Sequence, residues 1–179
     1  AQIQREKLLD KLNNRLQTSD GLFSRKLTLV SAPPGFGKTT LISTWLHQLD
    51  HPAAWLSLDA GDNEPGRFFY YLISALQQAH RGLGDAALSL FQAPQPPPIE
   101  TLLTLLINDL ASHVGQVVLV LDDYHVIQDL EIHKALTYLL ENQPPQLHLV
   151  IISRSDPPLP LHRLQGSGQM MGIYVRDLR

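Results

Sequence analysis

The chain contains no cysteine, which excludes disulfides, a thiolate nucleophile and a cysteine zinc site. The same absence fits a reducing cytoplasm, the expected location. Basic excess is missing too. Lys and Arg total 14 against 17 Asp and Glu, the formal net charge is -3, and no basic run could neutralise a row of phosphates, so nucleic acid is not an expected direct partner. No apolar run approaches the roughly 18 to 20 residues of a membrane helix, and the N-terminus lacks the apolar core of a signal peptide, so no membrane is expected either. What is present is a globular composition, 44% hydrophobic and 17% charged over 179 residues, which excludes disorder by charge and is about one domain long. A chain of this size buries roughly 70% of its unfolded surface and needs no covalent staple. It begins at Ala1 and ends on Leu178-Arg179 in mid-pattern, and the expectation is a piece of a longer protein.

Apolar spacing predicts a short amphipathic helix over Arg5 to Leu16 (Leu8, Leu9, Leu12, Leu16) and a buried strand over Lys26 to Ser31. A glycine-rich loop follows, then a helix over Lys38 to Gln48 ended by Pro52. A second strand is predicted at Ala53 to Leu58 and helices at Pro65 to His80 and Ile99 to His113, separated by a proline-rich break at Gln92 to Pro98. Val117 to Leu121 is apolar at every position, as central strands of parallel sheets are. A helix at Leu130 to Glu141, a strand at Leu147 to Ser153 and a weaker fifth strand at Gln169 to Val175 complete the pattern. Alternating strands and helices predict an α/β fold, a three-layer domain with a mainly parallel five-stranded sheet. The proline clusters read as loops between elements.

The strongest chemical signal is Ser31-Ala32-Pro33-Pro34-Gly35-Phe36-Gly37-Lys38-Thr39-Thr40, set between a strand and a helix. It matches a P-loop, with Ala32 standing where the strict motif has glycine. Glycine tolerates the positive φ that lets successive amides face a phosphate, and the helix N-terminus adds its dipole. Nucleotide-binding positions are therefore Pro34, Gly35, Phe36, Gly37, Lys38, Thr39 and Thr40, with Lys38 reaching the β and γ phosphates and Thr39 liganding Mg²⁺. Asp122 and Asp123 end the all-apolar run at the strand edge where open α/β sheets bind ligands. Asp122 suits a water-mediated Mg²⁺ ligand, and Asp123 suits orienting or deprotonating the attacking water. Arg154 closes another apolar run and is placed either to read a γ phosphate or to pair on the surface with Asp156. His47 and His51 have the i, i+4 spacing of metal ligands but no third ligand, and Trp45 and Trp55 read as core residues. No guanine-reading Asn/Thr-Lys-x-Asp segment occurs, so the expected ligands are ATP and ADP with Mg²⁺.

These residues resemble the STAND-class P-loop ATPase domain of the large ATP-binding LuxR-type transcriptional regulators. The likeness rests on Ile3 to Leu9, Ser31 to Leu41, Trp55 to Asp59 with Asp62 to Phe68, Leu119 to His125, and Ser153 to Pro160. It implies an N-terminal, adenine-proximal segment (residues 1–25) including Arg5, followed by an NTPase core (26–179). It implies a strand order that sets the Arg154 strand between the P-loop strand and the Asp122 strand, with Arg154 as the γ-phosphate sensor. It further implies a slow regulatory ATPase in which ATP binding opens an ADP-bound monomer to an oligomerising state and hydrolysis resets it. A helical lid, winged helix, sensor and DNA-binding domain would follow, so the implied partners are those domains and other copies of the chain. Gln165 to Gly172 departs from the usual pattern and leaves the fifth strand's register open. A P-loop small-molecule kinase remains an alternative, although Leu83 to Pro98 contains no arginine for a substrate lid. So does a module that merely holds ADP.

Overall fold

A computed structural model describes residues 2–113 and 115–179. Its strands are β1 (Leu27–Ser31), β2 (Ala53–Ser57), β3 (Val117–Asp122), β4 (Leu147–Ser153) and β5 (Met170–Tyr174). They form one sheet in the order β2-β3-β4-β1-β5, with every pairing parallel. The three central strands are buried at every position, whereas β2 and β5 are partly exposed. That division is the one expected of central and edge strands in a sheet covered on both faces. Strand β5 pairs with β1 in the register Leu27 to Met170 and Ser31 to Tyr174, which settles the open register of the fifth strand.

Strand side chains alternate between two apolar layers. Val30, Val118, Val120, Val150 and Ile152 face α1 (Gln2–Asn13) and α2 (Lys38–Gln48), where Leu12, Ile42 and Trp45 are buried. Leu29, Leu119, Leu121, Leu149 and Ile151 face α3 (Pro65–Ala79), α5 (Ile99–Ser112) and α6 (Leu130–Asn142). Helix α3 shows how local chemistry sets an element. The Glu64 carboxylate accepts from the Gly66 and Arg67 amides, Pro65 occupies the first turn, and Phe68, Phe69, Leu72, Ile73 and Leu76 supply the buried stripe.

Several boundaries and elements differ from the sequence expectation. The first helix begins at Gln2 rather than Arg5 and ends at Asn13 rather than Leu16. Three short helices were not anticipated: α4 (Asp85–Phe91), α7 (Leu161–Gly166) and α8 (Val175–Leu178). Trp45 is fully buried, whereas Trp55, on the edge strand, is only half-buried.

One polar pair lies inside the layer that holds Trp45. His148 is fully buried; its Nδ1 donates to the Arg25 carbonyl at 2.8 Å, which leaves Nε2 to accept from the Thr28 hydroxyl at 2.7 Å. Both bonds suit the neutral ring, and burial pushes the imidazole down from 6.5 to about 4. Because the folded value lies below the unfolded one, this contribution to stability is full above pH 6.5 and is lost as the pH falls toward 4. A shift of that size corresponds to roughly 3 kcal/mol. Urea titrations at pH 7 and pH 4 should show it, and His148→Gln should flatten this part of the pH dependence. An equal loss of stability in the variant would place the acid sensitivity elsewhere.

Candidate functional site

The parallel sheet brings the C-terminal ends of β1, β4 and β3 side by side, with β4 in the middle. The loop Pro34–Thr40, Arg154 and the Asp122-Asp123 pair follow from those three ends. Gly35 and Gly37 have φ of 90° and 71°. A Cβ at either position would meet nothing within 4 Å, so the requirement for glycine there is the backbone angle and not space. Helix α2 starts immediately after this turn, aiming its first amides at the mouth of the loop.

Lys38 Nζ donates to the carbonyls of Ala32 and, at 3.0 Å, Pro33. Burial and the Arg154 charge lower its pKa, while Asp123 and Asp122 oppose that shift. The Thr39 hydroxyl lies 3.2 and 3.3 Å from the two Asp122 carboxylate oxygens. Asp122 also accepts from the Asp123 amide at 2.9 Å. Burial and the Asp123 charge push the Asp122 carboxyl up, and the Thr39 and backbone bonds pull it back. Threonine hydroxyl and carboxylate together form the hard-oxygen donor set that Mg²⁺ takes.

Asp123 adopts φ 59°, ψ 40°, the left-handed region, and opens a 3₁₀ turn at Tyr124–Val126. Its side chain is 57% exposed, and Oδ1 lies 4.0 Å from His125 Nε2. His125 was missed as a site residue. Its Nδ1 accepts from the Arg154 amide at 3.3 Å, which puts the ring proton on Nε2, facing Asp123. Burial, followed by the Arg154 charge, lowers its pKa and favours the neutral ring. One imidazole thus ties the second acid to the start of the arginine segment.

Arg154 is exposed, and no ion pair joins it to Asp156 among the described residues. Its charge is felt at Lys38 and His125. Arg163 on α7 is instead paired with Glu141. Arg5 on α1 donates to Thr44 and, at 3.5 Å, to the Thr40 carbonyl. It borders a cavity of about 380 Å³ between α1 and the loop, lined also by Leu8, Phe36, Thr40 and Leu178. His47 bonds the Ser43 carbonyl and His51 bonds Gln17, so the two histidines are not brought together.

Asn63 is the second residue whose part was not anticipated. Its amide nitrogen donates to the Val126 carbonyl at 2.8 Å, and its oxygen accepts from the Gln128 and Asp129 amides at 2.6 and 3.1 Å. The segment before α3 thereby holds the loop that follows the two acids. Asp62, buried beside Asn63, accepts from the Asp59 amide and pairs with Arg67.

A model described as the AAA ATPase domain matches residues 3–152. The HTH-type transcriptional regulator MalT of Cronobacter sakazakii is 39% identical over 176 residues, covering 98% of this chain and 19% of the relative. MalT of Yersinia enterocolitica is 36% identical over 174 residues, covering 97% of this chain and 18% of the relative. The chain therefore spans about a fifth of the length of the curated relatives it matches. Among solved structures, the Aeropyrum pernix ORC1 protein in complex with DNA aligns with TM-score 0.61 at 16% identity, over 97% of this chain and 44% of that one. Cdc6p of Pyrobaculum aerophilum aligns with TM-score 0.56 at 18% identity, over 97% of this chain and 46% of that one. At such identities the likeness is one of fold. The family match covers most of the chain and the strand order is that of the P-loop architecture: this chain belongs to the AAA ATPase domain family.

Proposed function

We propose that the chain is the ATP-binding and hydrolysing switch domain of a MalT-like, STAND-class transcriptional regulator, with ATP favouring an active oligomer and hydrolysis returning an ADP-bound monomer. The observation that carries this reading is the position of β4 between β1 and β3. It sets Arg154 between the phosphate loop and the acids, where a guanidinium can distinguish ATP from ADP.

In this reading the amides from Gly35 to Thr39 bind the phosphates and Lys38 leaves the Ala32 and Pro33 carbonyls for the β and γ oxygens. Thr39, with Asp122 through water, would hold Mg²⁺, which neutralises charge on the phosphates when bound. Asp123 orients the attacking water and takes its proton as the oxygen bonds to the γ phosphorus and the bond from that phosphorus to the β–γ bridging oxygen breaks. The products are ADP and inorganic phosphate, and the proton leaves Asp123 for solvent. His125, neutral and bonded on the Arg154 side, keeps the acid and the sensor in register. Residues 1–25 form an adenine-proximal segment, with the base in the cavity beside Arg5 and Phe36, while residues 26–179 form the core. Domains that follow in the relatives' longer chains, and other copies of the chain, are the proposed partners.

Arg154→Ala tests the switch. Contact with the γ phosphate exists for ATP alone, so the substitution should cost ATP affinity by about 1 to 3 kcal/mol, roughly 5- to 150-fold, and leave ADP unchanged. Calorimetric dissociation constants for ADP and a non-hydrolysable ATP analogue, in parent and variant, give the ratio. An equal, slight change for both nucleotides is what a surface arginine would produce, and it would remove Arg154 from the mechanism.

A further inference from the structure

A second cavity, of about 570 Å³, lies at the opposite edge of the sheet, where the chain enters β1 and β5. Arg15, Arg25, Ser24, Gln17, Met170 and Met171 line it, and no carboxylate is among the lining residues. Arg25 is only 7% exposed. Its Nη2 donates to the Asn14 carbonyl at the end of α1, while its Nε is buried without a hydrogen-bond partner among the described residues. No acidic side chain lies within 4.0 Å of Arg15 or Arg25 among the described residues. Burial and the neighbouring Arg15 charge both act against Arg25's cationic form.

A buried guanidinium normally has a carboxylate or a full set of acceptors, because desolvating an unpaired charge costs several kcal/mol. Capping α1 explains one of its five N–H donors. The helix end carries a partial charge of roughly −0.5, too small to offset two guanidinium groups. His148 adds no negative charge, since its ring is neutral and donates to the Arg25 carbonyl. Two arginines converging on a cavity without an anion of the protein's own form the donor arrangement that recognises a tetrahedral oxyanion bidentately. The two methionines add an apolar, adaptable surface to the lining.

We propose that this cavity binds a phosphate group, free or as the monoester of a small organic molecule, independently of the nucleotide loop. Five residues of β1 separate Arg25 from the loop, roughly 15 Å along a strand, so the two sites do not share ligand atoms.

The test is a heteronuclear NMR titration of the chain held with excess Mg²⁺ and ADP. Inorganic phosphate and glycerol 3-phosphate are the probes, each against sodium chloride at matched ionic strength. Arg25 Nε–H and the amides of Ser24, Gly168 and Met171 should shift saturably with either phosphate and not with chloride. A stronger response to the ester identifies an organic ligand, and an equal one identifies free phosphate. Arg15→Gln, at an exposed position that leaves the buried guanidinium in place, should weaken the affinity at least tenfold, about 1.4 kcal/mol. Absence of saturable shifts at these resonances, an equal response to chloride, or unchanged affinity in Arg15→Gln would overturn the proposal. Shifts at Gly35 and Gly37 report the loop separately, so failure of ADP to bind there is distinguishable from failure here.

Discussion

Asp123→Asn is expected to slow ATP turnover by about 10²- to 10⁴-fold, the usual contribution of a positioned general base, while ADP and ATP affinities stay near those of the parent. An amide keeps the shape of the carboxylate but cannot take the proton from water. Fold disruption does not confound the result, because Asn is at least as tolerant as Asp of the left-handed backbone observed at this position, φ 59°. The side chain is more than half exposed, so its replacement leaves no buried group unpaired. Asp122→Asn should behave differently. That carboxylate contacts Thr39 and the Asp123 amide, and losing its charge should weaken the Mg²⁺ dependence of nucleotide binding. Phosphate-release assays without an added acceptor measure the turnover. Parental rates in both variants would mean that the paired acids do not act as assigned. ADP formation that requires an added acceptor and leaves the phosphoryl group on that acceptor, without phosphate release, would point instead to a kinase.

Lys38→Ala should cost nucleotide affinity by about 1.5 to 3 kcal/mol, the range of a charge-assisted hydrogen bond. Lys38 contributes an ammonium that the loop itself already positions through the Ala32 and Pro33 carbonyls. Removing it returns the Pro33 carbonyl to solvent, since Pro33 is exposed, while the carbonyl of the buried Ala32 loses one donor, and a circular-dichroism melt checks that the fold survives. With the fold intact, the loss reads out binding and not unfolding. In calorimetry the dissociation constant for ADP should rise by roughly 10- to 150-fold. An unchanged value would show that the loop is not the nucleotide site.

How much of this was legible in the sequence depended on whether the relevant signal was local. Val117 to Leu121 is apolar throughout, and Leu27 to Ser31 and Leu147 to Ser153 are apolar but for Thr28, Ser31, His148 and Ser153, because their strands are buried on both faces, and those elements could be read directly. The P-loop was equally legible, since a strand, a positive-φ turn and a helix start are all encoded within about a dozen residues. Short helices α4 and α7 carried no such signal. Helix α4 has Ala87 as its one fully buried residue, and the turn before it is held by tertiary fit: a Cβ on Gly84 would come within 2.7 Å of Ile73. Helix α7 follows Pro157 to Pro160 and buries only Leu164, so a proline-rich loop was the natural reading. His125 and Asn63 were hidden for another reason. Their contacts reach Arg154, 29 residues away, and Gln128, 65 residues away, and they depend on the left-handed turn at Asp123 and on the β4 position, neither of which follows from residue spacing.

Binding of an adenine nucleotide at the Pro34–Thr40 loop is what the proposed function requires first. It is tested most directly by calorimetric titration of the chain with ADP and, separately, with GDP, both in the presence of Mg²⁺. Saturable one-to-one binding of ADP, with GDP at least about tenfold weaker, is the predicted result; equal affinity for the two would contradict the base assignment, and no binding of either would contradict the account of the site.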